Sequence, residues 1–396
     1  MRYPIHHRRG AAHQSVSAGA WDRMKLYLKN HTERYPVEQL QLQLFAQEPS
    51  EFCTEPFTGD GTVSSLSRGK RYLTATAKVT YQGKTGFAVN RVLLDRADVR
   101  ATRRILQRSY YLAALQVLPA APPWGALSGV RPTKLSTKCL MAGGSEKDAE
   151  KLLREVYLVS PERARLCVDA SRHTVEAAKL LDADDLSVYI GIPFCPTRCA
   201  YCSFSSGEIG DGRLVEPYLA ALLHEIEACA EMAREMGLHI RVGYIGGGTP
   251  SSLTTPQLDR LLAHVEKHFG ALAEFTVEAG RPDTLDAQKL RMLRDHPVTR
   301  ISINPQTMND ATLVRIGRAH TAKQTVEAYE LARSIGFDDI NMDVIAALPG
   351  EDYAMFAHTL AEIRRLRPES LTVHTLAIKR SSRLHALSPE KWGAVS

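Results

Sequence analysis

Hydrophobic and polar positions follow two different rhythms along the chain. In residues 71–94, "RYLTATAKVTYQGKTGFAVNRVLL", apolar and polar residues alternate on both sides of Gly83, which predicts a β-hairpin. Residues 95–118 change to helical spacing, with an apolar stripe that contains Val99, Ile105, Leu106 and Leu112. We therefore expect a small α+β domain over residues 1–135, which ends in a connector dense in Pro and Gly.

A second rhythm begins after a helical linker region predicted over residues 136–185. From residue 186 to residue 396, short β-rich runs alternate with helical runs, as in consecutive βα units with a parallel sheet. The predicted strands are 187–192, 242–247, 275–279, 300–304, 340–346 and 370–377. The predicted helices are 213–236, 256–269, 284–295, 322–335 and 353–365. The spacing fits an open doubly wound sheet or a partial barrel, and in either fold ligands collect at the carboxyl ends of the strands.

Composition limits the class of protein without selecting a ligand. Charged residues make up 24% and hydrophobic residues 44% of the 396 residues, which is typical of a globular chain and excludes a disordered or fibrous one. The net charge of +6 suits an anionic partner, whether nucleic acid, acidic lipid or a multiply carboxylated small molecule. No run of about 18 apolar residues predicts a membrane span, and the opening "MRYPIHHRRGAAHQ" has no apolar segment of a signal peptide behind it. We expect a cytoplasmic protein, and seven cysteines in a chain of this size indicate a reducing compartment.

Three of these cysteines lie within eight positions, in "GIPFCPTRCAYCSF" (191–204). The spacing C-x3-C-x2-C places Cys195, Cys199 and Cys202 on one tight loop directly after a predicted strand. A structural zinc site normally has four Cys or His ligands, and no fourth candidate lies nearby. Iron–sulfur clusters are usually held by four cysteines, so three thiolates leave one iron open to a ligand that is not protein. An open cluster is our hypothesis, with zinc and inert thiols as the alternatives.

The three-cysteine loop, with Tyr201 just before its last cysteine and a series of βα units behind it, resembles the radical S-adenosylmethionine (SAM) superfamily. The resemblance implies a 4Fe-4S cluster whose open iron is chelated by the amino and carboxylate groups of SAM. It also implies that cleavage of SAM yields a 5'-deoxyadenosyl radical, which removes hydrogen from a substrate. The implied fold class is α/β, a partial (βα)6 TIM-like radical SAM barrel preceded by the small α+β N-terminal domain.

Further segments narrow the resemblance. They are "YIGGGTPSSL" (244–253), "VEAGRPDTL" (277–285), "ISINPQTMNDATLVRIGRAHT" (301–321), "NMDVIAALPGE" (341–351) and "VHTLAIK" (373–379). In order and spacing they are similar to the oxygen-independent coproporphyrinogen III oxidases, also called dehydrogenases. The connector "WGALSGVRPTKL" and the N-terminal extension resemble the HemZ-like branch of that family.

The resemblance also implies the residues of the site. Cys195, Cys199 and Cys202 would hold the cluster. The positions that would contact SAM are Tyr189, Tyr201, Gly247 and Glu278. Further SAM or substrate-side contacts would come from Gly248, Thr249, Gln306, Arg318, Asp343 and Ala377.

Several of these residues have plainer interpretations. Glycines 246–248 after a strand let a ligand approach the backbone closely, but an ordinary glycine turn has the same sequence. Arg318 and Asp343 could form a structural ion pair instead of binding a ligand. His320 and His374 are more often satisfied locally than bound to a substrate carboxylate, and we expect no role for them.

The implied reaction is the oxidative decarboxylation of two propionates of coproporphyrinogen III to the vinyl groups of protoporphyrinogen IX, in porphyrin and haem biosynthesis. A radical is required because the hydrogen on the propionate β-carbon is not acidic enough for a side-chain base. The implied partners are this tetrapyrrole and an unidentified electron donor, with no nucleic acid.

Two features depart from the oxidase pattern. Those oxidases carry another cysteine two positions after the third ligand, where this chain has Phe204. The chain also ends at Ser396, so we expect the family's C-terminal helical domain to be missing. The alternative function is a haem chaperone-like protein that uses SAM and a 4Fe-4S cluster without decarboxylase activity.

Overall fold

A computed structural model describes residues 23–46, 48, 50–127 and 131–386. The chain divides into two compact units, Met1–Leu181 and Asp182–Ser396. The strands of the first unit are β1 (Met24–Lys29), β2 (Ser50–Cys53), β3 (Gly61–Arg68), β4 (Tyr72–Tyr81) and β5 (Lys84–Leu93). Its helices are α1 (Arg34–Leu44), α2 (Val99–Ala114), α3 (Thr133–Met141), α4 (Glu146–Lys151) and α5 (Pro161–Ala178). The helices predicted between 136 and 185 thus lie in the first unit, and the division at 135 and 185 stays a prediction.

The first unit contains a five-stranded sheet in the order β2-β1-β3-β4-β5. β4 and β5 form the predicted hairpin, with Tyr81 paired to Lys84 across a two-residue turn. Both turn residues, Gln82 and Gly83, have positive φ, as the tight turn of a twisted antiparallel hairpin requires. The sequence pattern therefore located the turn correctly.

One face of this sheet packs on α1 and α2. Its apolar core includes Leu26, Ala75, Ala77 and Val79 from the strands and Leu106 from α2, all fully buried. The predicted helical stripe is right for Ile105 and Leu106 but wrong for Val99, which is 60% exposed. Val99 is the first residue of α2, after the N-cap Asp98, and it lies outside the turn that reaches the sheet.

A smaller apolar cluster joins the connector to the last helices of the first unit. Leu153, Val159 and Cys167 are buried in it, and Trp124 of the connector packs against it. The connector is therefore docked, although its residues 128–130 lie outside the described part of the chain.

The second unit contains the predicted βα repeats. Its strands are β6 (Asp185–Ile192), β7 (Phe194–Cys195), β8 (Gly207–Glu208), β9 (His239–Gly247), β10 (Glu274–Glu278), β11 (Arg300–Ser302), β12 (Ile340–Ala346) and β13 (Ser370–Thr375). Its helices are α6 (Val215–Glu235), α7 (Thr255–Phe269), α8 (Ala287–Asp295), α9 (Asp310–Arg315), α10 (Ala322–Ile335), α11 (Tyr353–Leu366) and α12 (Arg383–Ala386). Six strands form one sheet in the order β13-β12-β11-β10-β9-β6, and every neighbouring pair is parallel.

This sheet and its crossover helices form the partial (βα)6 barrel, which confirms the predicted fold class. Apolar residues from the strands and from α6, α7, α8 and α10 make one large core that includes Ile245, Val277, Leu261, Leu290 and Tyr329. Because the six strands are parallel, their carboxyl ends lie at the same end of the barrel. No helix in the described ranges is long and apolar enough to cross a membrane.

Candidate functional site

A cavity of about 700 Å³ lies inside the second unit and reaches the carboxyl ends of its strands. Nearly all the predicted site residues line it. They are Cys195, Cys199, Cys202, Tyr201, Gly247, Gly248, Thr249, Glu278, Gln306, Arg318, Asp343 and Ala377. Tyr189 is the exception, because it is 60% exposed and is not part of the lining, although its ring stacks on that of Tyr244 with the ring centres 5.6 Å apart.

The three cysteines lie on a loop that main-chain hydrogen bonds hold in shape. The carbonyl of Cys195 accepts from the Ile209 amide at 2.8 Å, where β7 runs beside β8. The amide of Ala200 donates to the Ile316 carbonyl at 2.9 Å, which attaches the loop to the end of α9. All seven cysteines of the chain are free thiols.

The arrangement of the thiols favours a cluster over a single metal ion. Within the described ranges, no three His, Cys, Asp or Glu side chains converge closely enough for one metal ion. A cubane cluster gives each thiolate its own iron, so its ligands stand farther apart than those of one tetrahedral zinc. The donor set of three thiols on a single loop therefore fits an open cluster and does not fit a closed zinc site.

A buried arginine holds the middle of the cysteine loop. Arg281 follows β10 and is 2% exposed. Its guanidinium donates to both carboxylate oxygens of Asp283, at 3.1 and 2.9 Å. It also donates to the hydroxyl of Thr197 at 2.8 Å and to its carbonyl at 3.2 Å. The loop between Cys195 and Cys199 is thus fixed to the end of a central strand by a charged pair.

Arg318 places a second buried cation beside the thiols. Its guanidinium donates to the Asn304 carbonyl and lies near the thiol of Cys199, as does the Tyr201 side chain. Its Nε is buried and has no hydrogen-bond partner among the described residues. Arg318 and Asp343 form no ion pair with each other, so the alternative of a structural pair is wrong.

The opposite wall of the cavity is acidic. Tyr244 donates to Glu278 Oε1 at 2.6 Å, and Asn341 Nδ2 donates to Asp343 Oδ1 at 2.8 Å. Burial raises the pKa of Glu278, and the neighbouring Asp343 carboxylate raises it further, while the hydrogen bond from Tyr244 opposes the shift. Two carboxylates near each other with one raised pKa attract a cationic group, because a positive charge between them removes their mutual repulsion.

The glycine loop after β9 has no room for side chains. Gly247 has φ 112°, where residues other than glycine are strained. A Cβ on Gly248 would lie 2.6 Å from the Phe194 carbonyl oxygen and 3.0 Å from Cys195 Sγ. The glycines therefore let this backbone run directly beside the cysteine loop, which a simple glycine turn does not require.

The two histidines differ in location. His320 is buried, with Nδ1 3.6 Å from Asp283 Oδ1, and it is not part of the cavity lining. Burial lowers the pKa of His320. His374 lines the cavity from β13 and is exposed, so it faces the ligand space in spite of the expectation that it has no role.

Several polar residues of the cavity wall were not predicted from the sequence. They are Tyr244, Thr276, Arg281, Arg300, Ser302, Asn304, Asn341, Ser370 and Thr372. Most of them share one signal, because they occupy alternate positions of strands that are otherwise apolar, and alternate residues of a strand face the same side. Polar positions at period two along the barrel strands could have identified this wall.

This architecture, a six-stranded parallel half-barrel with three thiols at its open end, defines a radical SAM protein. The model of the radical SAM superfamily matches residues 189–363. The oxygen-independent coproporphyrinogen-III oxidase-like protein HemZ of Bacillus subtilis (strain 168) is 37% identical over 372 residues, which are 92% of this chain and 72% of HemZ. The chain therefore belongs to the family of oxygen-independent coproporphyrinogen-III oxidase-like proteins, whose cofactors are a 4Fe-4S cluster and SAM.

Two other relatives match about half of this chain. The haem chaperone HemW of Bacillus subtilis (strain 168) is 37% identical over 196 residues, 49% of this chain and 51% of HemW. The oxygen-independent coproporphyrinogen III oxidase of Pseudomonas aeruginosa is 31% identical over 196 residues, 48% of this chain and 42% of that enzyme. The chain thus aligns with about half the length of these two proteins.

Proposed function

We propose that this chain catalyses the oxygen-independent oxidative decarboxylation of coproporphyrinogen III to protoporphyrinogen IX. The observation that carries the proposal is the single cavity on which the three cysteines, the glycine loop, Glu278 and Arg318 converge. The similarity to HemZ over most of the chain supports the same reaction class. The free thiols suit a reducing, cytoplasmic setting.

In this proposal, Cys195, Cys199 and Cys202 hold the cluster. Bound together, the cluster and SAM supply the radical that removes a hydrogen atom from the substrate. The chain's own residues bind and orient SAM and the substrate. Glu278 and Asp343 attract the positive end of SAM, and Arg318 lies where it can meet a carboxylate.

The substrate side of the site has to receive propionates. Arg198 and Lys379 line the cavity, and within the described ranges neither side chain forms an ion pair, although the amide of Arg198 donates to Glu208 at 3.2 Å; both side chains can pair with a substrate carboxylate. Each propionate that becomes a vinyl group loses one hydrogen atom, one CO2 and one electron. The reaction therefore needs an electron donor that cleaves SAM and an acceptor that takes up the released electron.

The test is an anaerobic assay of the reconstituted full chain with SAM, a chemical reductant and coproporphyrinogen III. We expect about four iron and four sulfide per chain, and formation of 5'-deoxyadenosine, methionine and CO2. Cys199→Ala should abolish all three products, whereas Cys229→Ser, which changes an exposed cysteine on α6, should have no effect. Formation of 5'-deoxyadenosine without CO2 would retain the radical chemistry and refute this substrate.

One observation favours a second function, that of a haem chaperone-like protein. Phe204 stands where the oxidases resembled by this chain carry a further cysteine, and the cysteine loop is in this respect closer to that of the haem chaperones. HemW of Bacillus subtilis is 37% identical to this chain over 196 residues. Retention of haem by the same preparation, without CO2 release, would establish this function instead.

A further inference from the structure

The sheet of the first unit has an open face, which we define by register as the side opposite α1 and α2. Lys25, Tyr27 and Lys29 of β1 lie on it, because they alternate with the buried Met24 and Leu26. The neighbouring strands contribute Val63, Ser65, Ser67, Thr74, Thr76, Lys78, Phe87, Val89 and Arg91. None of these side chains is buried.

The charge of these strands has one sign. β1, β3, β4 and β5 contain six basic residues; Lys25, Lys29, Lys78 and Arg91 lie on the open face, whereas the register places Arg68 and Lys84 on the helix side. The same four strands contain no Asp or Glu. None of the six basic side chains forms an ion pair with a residue in the described ranges, although ion pairs are frequent elsewhere in this chain. Glu51 on the edge strand β2 is the single carboxylate that the five strands of this sheet contain.

Aromatic and apolar groups lie between these charges. Phe87 is 56% exposed and Val89 is 49% exposed. Phe87 pairs with Lys78, which pairs with Val63, which in turn pairs with Tyr27, so one row across the sheet carries two aromatic rings and a cation. In the strand direction, the guanidinium of Arg91 lies 4.7 Å from the centre of the Tyr72 ring.

We propose that the open face binds single-stranded nucleic acid. Unpaired cations attract phosphates, the exposed ring of Phe87 on the edge strand β5 can stack on an unpaired base, and the serine and threonine hydroxyls can hydrogen-bond to phosphates or base edges. A duplex offers no exposed base faces to Phe87. An acidic protein surface would pair with the cations but would leave the aromatic rings of Phe87 and Tyr27 without a group to stack on.

The proposal departs from the expectation that the chain has no nucleic-acid partner. In the sequence, the basic residues look scattered, because they are spread over more than sixty positions of β1 to β5. The strand register brings Lys29, Lys78 and Arg91 to one side of one sheet. The inference does not depend on the proposed reaction, which concerns the second unit.

The experiment is fluorescence anisotropy of the full anaerobic chain with labelled 15-nucleotide oligouridine and oligothymidine. We expect both to bind, with affinity that falls as salt rises, and a difference between them would report contacts to the 2′-hydroxyl. Phe87→Ala should weaken binding about 5- to 150-fold, the range found for loss of one stacked base. The double change Lys78→Glu with Arg91→Glu should weaken binding. It should also lower the magnitude of the slope of log affinity against log salt concentration by about 0.7 for each phosphate that the variant no longer neutralises.

Matched controls lie on the other side of the same unit. Phe52 is also an exposed aromatic residue, but its register places it beside Leu26 on the helix side, so Phe52→Ala should leave binding within about twofold. The double change Arg100→Glu with Arg104→Glu alters two exposed cations of α2 in the same way and should also have little effect. Phe87→Tyr keeps a ring and should restore binding, which separates loss of stacking from misfolding.

Three outcomes would overturn the proposal. The first is no binding of either oligonucleotide at about 50 mM salt, where phosphate contacts are strong. The second is that the open-face variants bind as the control variants do. The third is that vesicles containing phosphatidylglycerol compete better than unlabelled oligonucleotide, which would make the open face a membrane-binding surface.

Discussion

Glu278 is the residue at which the electrostatics of the cavity are clearest. Its Oε1 accepts a hydrogen bond from the Tyr244 hydroxyl at 2.6 Å, and Asp343 is close enough to raise the pKa of Glu278. Burial is the largest cause of that raised pKa. A carboxylate whose pKa is raised by its surroundings ionises more readily when a cation binds beside it, so its pKa is linked to ligand affinity.

We predict that the affinity for SAM rises with pH as Glu278 ionises. Because its pKa in the folded chain is above 4.5, the acidic form persists above that pH, and the affinity should increase from there until the group is ionised. Glu278→Gln should remove this pH dependence and lower the affinity about 10- to 100-fold at neutral pH, the loss of one charged hydrogen bond. Equilibrium dialysis with labelled SAM at several pH values measures both effects.

Glu274→Gln is the control for this change. Glu274 lies on the same strand but at its amino end, where it pairs with Arg300 at 2.9 Å. It should leave the affinity for SAM and its pH profile unchanged. An unaltered profile in Glu278→Gln would show that another group titrates, and Asp343 would be the next to test.

At the scale of elements, the sequence pattern predicted the barrel better than the sheet of the first unit. The barrel strands are apolar runs separated by helices of clear period, so each was recognised, although β11 ends at Ser302 and not at 304. It ends early because the chain turns away to Gln306, which has a positive φ of 66°. β1, β2, β3 and α1 were not predicted. β1 alternates over only six residues, β2 has only four residues, and the serines of β3 weaken its alternation.

Site residues such as the cysteines were predicted because their residue type alone indicates chemistry. Residues whose role depends on their position in the fold were not predicted. Arg281 is an ordinary arginine in the sequence. Its importance follows from its burial and from the tertiary contact to Thr197, more than eighty positions earlier in the chain. Such contacts are set by the packing of strand ends and leave no local pattern.

We predict that Arg281 is a positioning residue for the cysteine loop. Arg281→Ala would leave Asp283 buried without its partner, a loss of about 3–5 kcal/mol, and Arg281→Lys cannot bridge Asp283 and Thr197 at once. Both variants should lose cluster iron several times faster in air, and the electron paramagnetic resonance signal of the reduced cluster should broaden. Iron content against time and the low-temperature spectrum measure these effects.

Arg300→Lys provides the comparison. Arg300 also lines the cavity, but it pairs with Glu274 and Asp339 at the amino ends of the strands. Its substitution should leave both the spectrum and the rate of iron loss unchanged. If Arg281→Lys also kept the wild-type spectrum and rate of iron loss, the contact with Thr197 would contribute to packing without positioning the cysteine loop.

At the scale of the whole molecule, the net charge does not show how charge is distributed among the surfaces of the fold. The net charge of +6 describes no surface, because 50 basic and 44 acidic residues nearly balance. Only the strand register shows that the open face of one sheet carries four basic residues against a single acidic one, Glu51, while the barrel cavity has carboxylates on one wall and arginines near the thiols. Composition could suggest an anionic partner, but it could not assign that partner to a unit.

The separation into units leads to a last prediction, about unfolding. The apolar cores of Met1–Leu181 and Asp182–Ser396 have no residue in common, so each can lose its structure in its own cooperative transition. Scanning calorimetry of the cluster-loaded protein should therefore show two transitions. SAM at about one hundred times its dissociation constant adds about 2.7 kcal/mol to the stability of the unit that binds it. For a unit of this size that raises one transition by about 5–10 °C and leaves the other in place. Glu278→Gln should reduce the shift, whereas a single transition that moves as a whole would show that the two units unfold together.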